Sequence, residues 1–138
     1  WLPRESGKWE EEGQKNAEDR YAELGLHFRT VNVCTADIGN LAAKRYDVEV
    51  WMADGVYREI GSNSNCTDYQ ARRLNIRYRE KTGERSDFVH TLNSTAIAMQ
   101  RTIVAIVENY QQPDGSIRIP KVLAPYMGKI EEIRKKVN

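Results

Sequence analysis

Three stretches of the chain carry residue types that do chemistry. The first is Tyr57-Arg58-Glu59-Ile60-Gly61-Ser62-Asn63-Ser64-Asn65. A strand there delivers a carboxylate, Glu59, into a segment crowded with hydroxyls and amides. Tyr57 and Glu59, two residues apart, share a strand face, and Arg58 points the other way. A carboxylate beside small oxygen donors outlines a hard-cation site, suited to Mg²⁺ bound jointly with phosphates. The same residues also do ordinary turn work at a hairpin end, and composition alone favours that reading. The second stretch is Val89-His90-Thr91-Leu92-Asn93-Ser94-Thr95, where a strand runs into a helix through small polar residues. Asn93 and Thr95 are placed to bind a small polar ligand, while Ser94 or Thr95 serve equally as helix N-caps. The third feature is Arg101, a lone cation near the start of an otherwise apolar helix. If buried, it requires a carboxylate or phosphate partner, and a structural ion pair or a ligand would each satisfy it.

Other chemistries lack their residues. There is no Gly-x-x-x-x-Gly-Lys-Ser loop and no Gly-x-Ser-x-Gly elbow. His27 and His90 belong to no metal-ligand spacing. Cys34 and Cys66 read as two reduced thiols of a cytosolic protein rather than a disulfide framework. Arg72, Arg73, Arg77, Arg79, Lys81 and Arg85 form the basic stretch, diluted by Glu80, Glu84 and Asp87. It reads as a solvated charged face rather than a nucleic-acid groove.

The elements that must position these residues follow from periodicity. Residues 1–9 read as a tail or linker, with Trp1 and Trp9 at its ends, either of which can dock on the body. A charged helix is expected from about Lys8 to Leu24, with Ala17, Tyr21 and Leu24 on one stripe and Gly25 at its C-terminal cap. Phe28 to Val33 predicts a strand. In Asp47-Val48-Glu49-Val50-Trp51-Met52 the apolar set Val48, Val50 and Met52 alternates with Asp47, Glu49 and Trp51. Asp54-Gly55 then turns the chain back into a strand at Val56 to Ile60. A polar loop over 61–67, a helix over 68–78 and a strand over 88–92 are expected next. Residues 96–110 are apolar on nearly every side, which predicts a helix buried around most of its circumference. A short strand at 117–119 and a salt-bridged C-terminal helix over 129–138 close the chain. Helices inserted between antiparallel pairs define an α+β fold with an antiparallel sheet flanked by helices.

Composition narrows the partners. The chain has 138 residues, with 21 Lys and Arg against 20 Asp and Glu, a formal charge of +1. That balance gives no global attraction to nucleic acid or to an anionic membrane. No apolar run approaches the ~20 residues that span a bilayer. No signal peptide is visible and the first residue is Trp, so the expectation is a chain processed, cleaved from a fusion or cut from something larger.

Several motifs together resemble the C-terminal part of the seryl-tRNA synthetase catalytic domain, a class II aminoacyl-tRNA synthetase. They are Cys34-Thr35-Ala36-Asp37-Ile38-Gly39, Tyr46-Asp47-Val48-Glu49-Val50-Trp51, Tyr57-Arg58-Glu59-Ile60, Asn65-Cys66-Thr67-Asp68-Tyr69-Gln70-Ala71-Arg72-Arg73, His90-Thr91-Leu92-Asn93, Glu108-Asn109-Tyr110-Gln111 and Pro125-Tyr126-Met127-Gly128. Order and spacing hold over about 16–128, so residues 10–128 are expected to form a partial catalytic domain, a half core. Asn93 to Arg101 looks like the third class II motif. The resemblance implies ATP and Mg²⁺ as cofactors and serine as substrate, with seryl-adenylate as product. It implies that Arg101 holds the ATP γ-phosphate and acts catalytically with Glu59. Glu59 and Ser62 would ligate Mg²⁺, the segment Glu59-Ile60-Gly61-Ser62 would contact ATP, and Asn93 and Thr95 would contact serine. Sequence resembling the first two motifs and the tRNA-gripping arm is missing, including the arginine that clamps the α-phosphate. Ala36 stands where the family commonly has Gly, and the hairpin at 52–56 is shorter than usual. These departures imply a truncated or engineered core with weak activity, weak or absent tRNA binding and no membrane partner. They also imply a monomer in the cytoplasm, with a non-native dimer as the second choice. The alternative is a non-catalytic ATP-binding or structural module.

Overall fold

The computed structural model describes residues 1–135. Helix α1 (Ser6–Glu23) precedes strands β1 (Phe28–Asn32), β2 (Lys44–Trp51) and β3 (Tyr57–Asn65). Helix α2 (Tyr69–Leu74), strands β4 (Arg77–Tyr78), β5 (Asp87–Phe88) and β6 (Leu92–Ser94), and helix α3 (Met99–Tyr110) come next. Strand β7 (Ile117–Arg118), a 3₁₀ helix at Lys121–Met127 and strand β8 (Glu132–Ile133) complete the described chain. The main sheet is antiparallel, in the order β1-β2-β3-β6, and β4–β5 and β7–β8 are separate two-stranded ribbons. This is the α+β architecture the periodicity predicts.

The core lies on one face of that sheet. Val48 and Val50 of β2 and Met52 just beyond it alternate into the core and meet Tyr21 of α1 and Leu24 at its C-cap, with Ile60 and Ala105 alongside. The predicted hairpin is present: Met52 N–H donates to the Val56 carbonyl at 3.0 Å, and Gly55 takes φ +78° at the turn. Gly25 ends α1 as expected, at φ +69°. A side chain there would collide with the Tyr110 hydroxyl, which donates to the Leu24 carbonyl at 2.6 Å.

Residues 61–65 are not a loop. They continue β3 because Asn63 and Asn65 turn inward and are buried. Asn63 Nδ2 donates to the Glu10 carbonyl at 2.7 Å, and Asn65 Nδ2 reaches Ser6 Oγ at 3.4 Å. These amides replace apolar side chains as the attachment of α1, which is why a hydrophobicity pattern misses them. Residues 1–9 are likewise not a tail. Helix α1 begins at Ser6, the Trp1 ammonium donates to the His90 carbonyl at 2.9 Å, and Trp1 stacks on Trp9 at 4.3 Å.

Three other expectations change. The helix over 68–78 stops at Leu74 because Asn75 takes a left-handed conformation at φ +52°, and Arg77–Tyr78 then pair with β5. The strand over 88–92 splits, because His90 N–H donates to Trp1 and Thr91 N–H to Thr67 rather than along one ladder. The C-terminal helix does not form over 129–135: Gly128 and Lys129 both have positive φ, and Ile133 pairs with Ile117 in β8. The rest of that expected helix, 136–138, lies outside the described residues.

Helix α3 is the largest departure. Only Thr102 and Ala105 are buried, whereas Met99 is 64% and Ile103 52% exposed. One narrow stripe faces the core, and the remaining apolar surface is open or lines a groove with Ile117, Ile119, Leu123 and Ile133. From the segment at 129–135, Ile133 lines that groove beside α3, and the Trp1–Trp9 stack lies by Lys8 and His90.

Glu10 offers a test of the polar α1 interface. Its side chain is 1% exposed, Lys44 Nζ lies 3.7 Å from one oxygen, and the other oxygen has no partner among the described residues. Burial pushes its carboxyl pKa up, and Lys44 pulls it back only in part. A carboxyl with a raised folded pKa contributes stability that is complete below the unfolded pKa and is lost as pH rises through the folded one. Glu10→Gln should therefore stabilise the fold at neutral pH by about 1 kcal/mol. The two proteins should melt together near pH 3, where Glu10 is neutral in both states. Thermal melts at the two pH values check this; a less stable variant at neutral pH would show that the Lys44 attraction outweighs the burial cost.

Candidate nucleotide site

The site lies on the sheet face turned away from α1. Its geometry depends on a bulge. In β2–β3, Val48 pairs with Gly61 and Glu49 pairs with Glu59, leaving Ile60 opposite nothing. A regular strand would send Glu59 and Ser62, three residues apart, to opposite faces. The extra residue lets Ile60 and Gly61 both turn toward the core, so that Glu59 and Ser62 emerge on the same outer face. Gly61 is needed for space: a Cβ there would lie 2.9 Å from the Thr95 carbonyl and 3.3 Å from the Tyr21 hydroxyl. Tyr21 itself donates to the Ile60 carbonyl at 3.1 Å and holds the bulge from below.

Helix α3 brings Arg101 to this face. Its Nη1 donates to the Glu59 carbonyl at 2.9 Å and lies 3.7 Å from the Glu59 carboxylate. A cleft of about 310 Å³ is lined by Glu59, Ile60, Gly61, Ser62, Thr95, Ala98 and Arg101. A second concavity of about 450 Å³ adjoins it, walled by Met52, Ile60 and Val104 and sharing Glu59 and Arg101. Thr95 is fixed at the cleft by its N–H donating to the Ser62 carbonyl at 2.8 Å.

Six of the seven residues singled out in the sequence therefore converge. Ile60 contributes backbone alone, because its side chain is 2% exposed and belongs to the core. Asn93 stands outside the cleft, on the same outer face, opposite Ser64 in the β3–β6 register. Arg101 is not buried as expected; its side chain is 60% exposed. The buried stripe of α3 runs through Thr102 and Ala105, which leaves Arg101 at the rim.

Sequence reasoning missed Arg45. Its guanidinium makes a two-point contact with Asp47, at 2.7 and 3.0 Å, and reaches Glu59 at 4.0 Å. The signal was available: Arg45 and Asp47 are two apart on β2 and share the outer face with Glu49.

The donor set suits a hard cation held jointly with a ligand. Glu59 and Ser62 offer oxygen donors, and no group of three His, Cys, Asp or Glu stands ready to hold a metal among the described residues. A divalent ion at these two residues would complete its shell from phosphate and water, as Mg²⁺ does with nucleotides.

An antiparallel sheet with an arginine-bearing helix beside a strand carboxylate is the architecture of a class II synthetase core. Residues 5–110 match the family described as tRNA synthetase class II core domain (G, H, P, S and T), and the chain belongs to it. Within that family it is similar to serine–tRNA ligases. It is 56% identical over 137 residues to that of Pyrococcus horikoshii, covering 97% of this chain and 30% of the relative. It is 54% identical to that of Ignicoccus hospitalis, with coverage of 96% and 29%. The structure of the P. horikoshii seryl-tRNA synthetase complexed with ATP superposes with a TM-score of 0.95 at 55% identity, over 99% of this chain and 30% of that one. The cytoplasmic serine–tRNA ligase of Naegleria fowleri in complex with AMP gives 0.89 at 43% identity, over 99% and 33%. The chain thus corresponds to part of a catalytic domain and spans about 30% of the relatives it matches.

Gly61→Ala tests the bulge. The added methyl meets a backbone carbonyl that cannot swing aside, so the substitution should cost about 1–3 kcal/mol. Because it pushes β3 from β6, it should also disturb Glu59 and Ser62, seen as amide shift changes at both residues. A variant as stable as the parent with unshifted resonances would show that the close approach is not required.

Proposed function

We propose that this chain carries an ATP·Mg²⁺ and serine site of the seryl-tRNA synthetase type. The chemistry is attack of the serine carboxylate on the α-phosphate, forming a carboxyl–phosphate bond and expelling pyrophosphate. The observation that carries the reading is the meeting of Glu59 and Arg101, 42 residues apart, at one cleft with Ser62 and Thr95. In this reading Arg101 pairs with the γ-phosphate, and Glu59 with Ser62 holds the metal. Thr95 and the neighbouring Asn93 take the serine. Bound Mg²⁺ supplies neutralisation of phosphate charge; the residues supply position.

The geometry also suggests how the site stays stable before a nucleotide binds. Arg101 and Glu59 neutralise one another until then. The phosphate takes the arginine and the metal takes the carboxylate, so each charge exchanges one partner for another. Relatives complexed with ATP and with AMP support nucleotide binding as the coarser statement.

A second reading, binding without appreciable catalysis, rests on one observation. Arg101 is the sole cation lining the 310 Å³ cleft among the described residues, and nearby Arg45 is committed to Asp47. Arg58, which lines the adjoining concavity, is paired with Asp54, so neither neighbouring arginine is free among the described residues to stabilise charge at the α-phosphate. Losing one such preorganised interaction typically costs ~10²–10³-fold in rate. We therefore favour weak serine activation, weak or absent tRNA charging, a monomeric state and a cytoplasmic setting. No helix among the described residues is long and apolar enough to cross a membrane.

Calorimetric titration of ATP·Mg²⁺ should give a Kd between roughly micromolar and millimolar. Arg101→Ala should weaken it about tenfold or more, the worth of one charge-assisted hydrogen bond. Because Arg101 is exposed, its melting temperature should stay close to wild type. Equal affinity in both proteins would remove Arg101 from the site. Serine-dependent pyrophosphate exchange separates the catalytic from the binding-only reading.

A further inference from the structure

A second polar cleft, of about 460 Å³, lies away from the Glu59–Arg101 site and is lined by Arg72, Arg77, Arg85, Ser86, Asp87 and Phe88. The sequence alone reads this segment as a solvated charged face, because Glu80, Glu84 and Asp87 dilute its six cations. The structure engages two of the nearby carboxylates elsewhere, while Asp87 stays in the cleft lining and accepts the Phe88 N–H at 2.8 Å. Asp68 is taken by Arg72, at 2.6 and 2.8 Å, within α2. Glu80 is taken by Arg4 from the N-terminal segment. Arg73, Arg77, Arg79, Lys81 and Arg85 have no salt bridge among the described residues.

The cations are also arranged with aromatic rings. The guanidinium of Arg77 lies 4.0 Å and that of Arg72 4.8 Å from the centre of the Phe88 ring, and Arg73 lies 3.6 Å from that of Tyr69. Arg77 donates its Nε to Asn75 at 2.8 Å, and the far end of its fork has no hydrogen-bond partner among the described residues. Leu74 and Ile76 stand exposed beside it. Guanidinium planes held on aromatic faces, next to open apolar side chains, bind a charged backbone and stack on bases. A cleft in the ~300–1,000 Å³ range admits one phosphate with its nucleoside.

We infer that the α2 and β4–β5 surface is a binding site for the phosphodiester backbone of single-stranded RNA, with Arg77 and Arg85 contacting phosphates. Recognition is by charge and stacking, not base identity. The inference does not depend on the nucleotide site, which stands on other elements.

The test is fluorescence anisotropy of a short fluorescein-labelled oligouridylate titrated with the full chain at low salt, then across a salt series. Arg77→Gln/Arg85→Gln should weaken binding at least about tenfold. It should also flatten the plot of log affinity against log salt by about 1.4, or ~0.7 for each phosphate no longer neutralised. Lys15→Gln/Arg20→Gln, which removes the same charge from the exposed side of α1, should change the affinity less than about twofold. Both double substitutions alter exposed side chains only, and unchanged melting temperatures confirm that the folds are intact. Retained ATP·Mg²⁺ affinity in Arg77→Gln/Arg85→Gln keeps a failure here distinct from a failure at the nucleotide site. No binding by the parent, equal binding by the 77/85 variant, or equal loss in the α1 control would overturn the proposal. So would displacement of the oligonucleotide by inorganic phosphate or ATP at equal phosphate concentration, which would mark a simple anion site.

Discussion

Ile60 stands opposite no residue of β2, and the outer face of the sheet depends on that one insertion. Without it, the alternation set by Tyr57 and Glu59 would bury Ser62 and expose Asn63. With it, Asn63 and Asn65 face α1, while Glu59, Ser62 and Ser64 face outward. The bulge is held from three directions. Tyr21 bonds the Ile60 carbonyl, the Ile60 side chain fills the core, and the Thr95 carbonyl comes close enough to Gly61 to exclude a side chain. A single register irregularity therefore couples core packing to the placement of the Glu59 and Ser62 side chains on the outer face.

This explains what was legible in the residues. The alternation Val48, Val50, Met52 and the Asp54-Gly55 turn depend on local rules, and both appear in the structure as expected. Glu59, Ser62 and Thr95 are singled out by the family resemblance, since composition alone favours turn and cap roles for them, and only Arg101 stands out by type, as a lone cation in an apolar helix. The bulge was not legible, since a polar run after Ile60 looks the same whether it is a loop or a strand facing a polar helix side. Nor was the α1 start at Ser6: its stabilising contacts, from Trp1 and Ser6 to His90, cross more than 80 residues. Helix α3 failed for the opposite reason. Its apolar run set an expectation of burial on most sides, but among the described residues only Thr102 and Ala105 are buried, and Ile103 and Val107 line an open groove. Composition reports what a helix is able to bury, and neighbours decide what it does bury.

The outer face is organised by charge as much as by register. Arg29, Glu49 and Glu59 lie in one row across β1, β2 and β3. Directly opposed carboxylates such as Glu49 and Glu59 repel. Here each is held by a separate cation, Glu49 by Arg29 at 2.6 Å and Glu59 by Arg101 at 3.7 Å with Arg45 at 4.0 Å. Asp47 in turn fixes Arg45. The row is neutral only while every cation stays in place. Drawing Arg101 toward a phosphate leaves Glu59 facing Glu49 with a distant Arg45 as its remaining partner. In the proposed reading, that imbalance would favour entry of a divalent cation at the same moment. Anion and metal binding would then be coupled through Glu59: either ligand alone would leave one charge unmatched, and the two together would restore the balance. A nucleotide bringing its own Mg²⁺ satisfies both demands, whereas a free phosphate satisfies one.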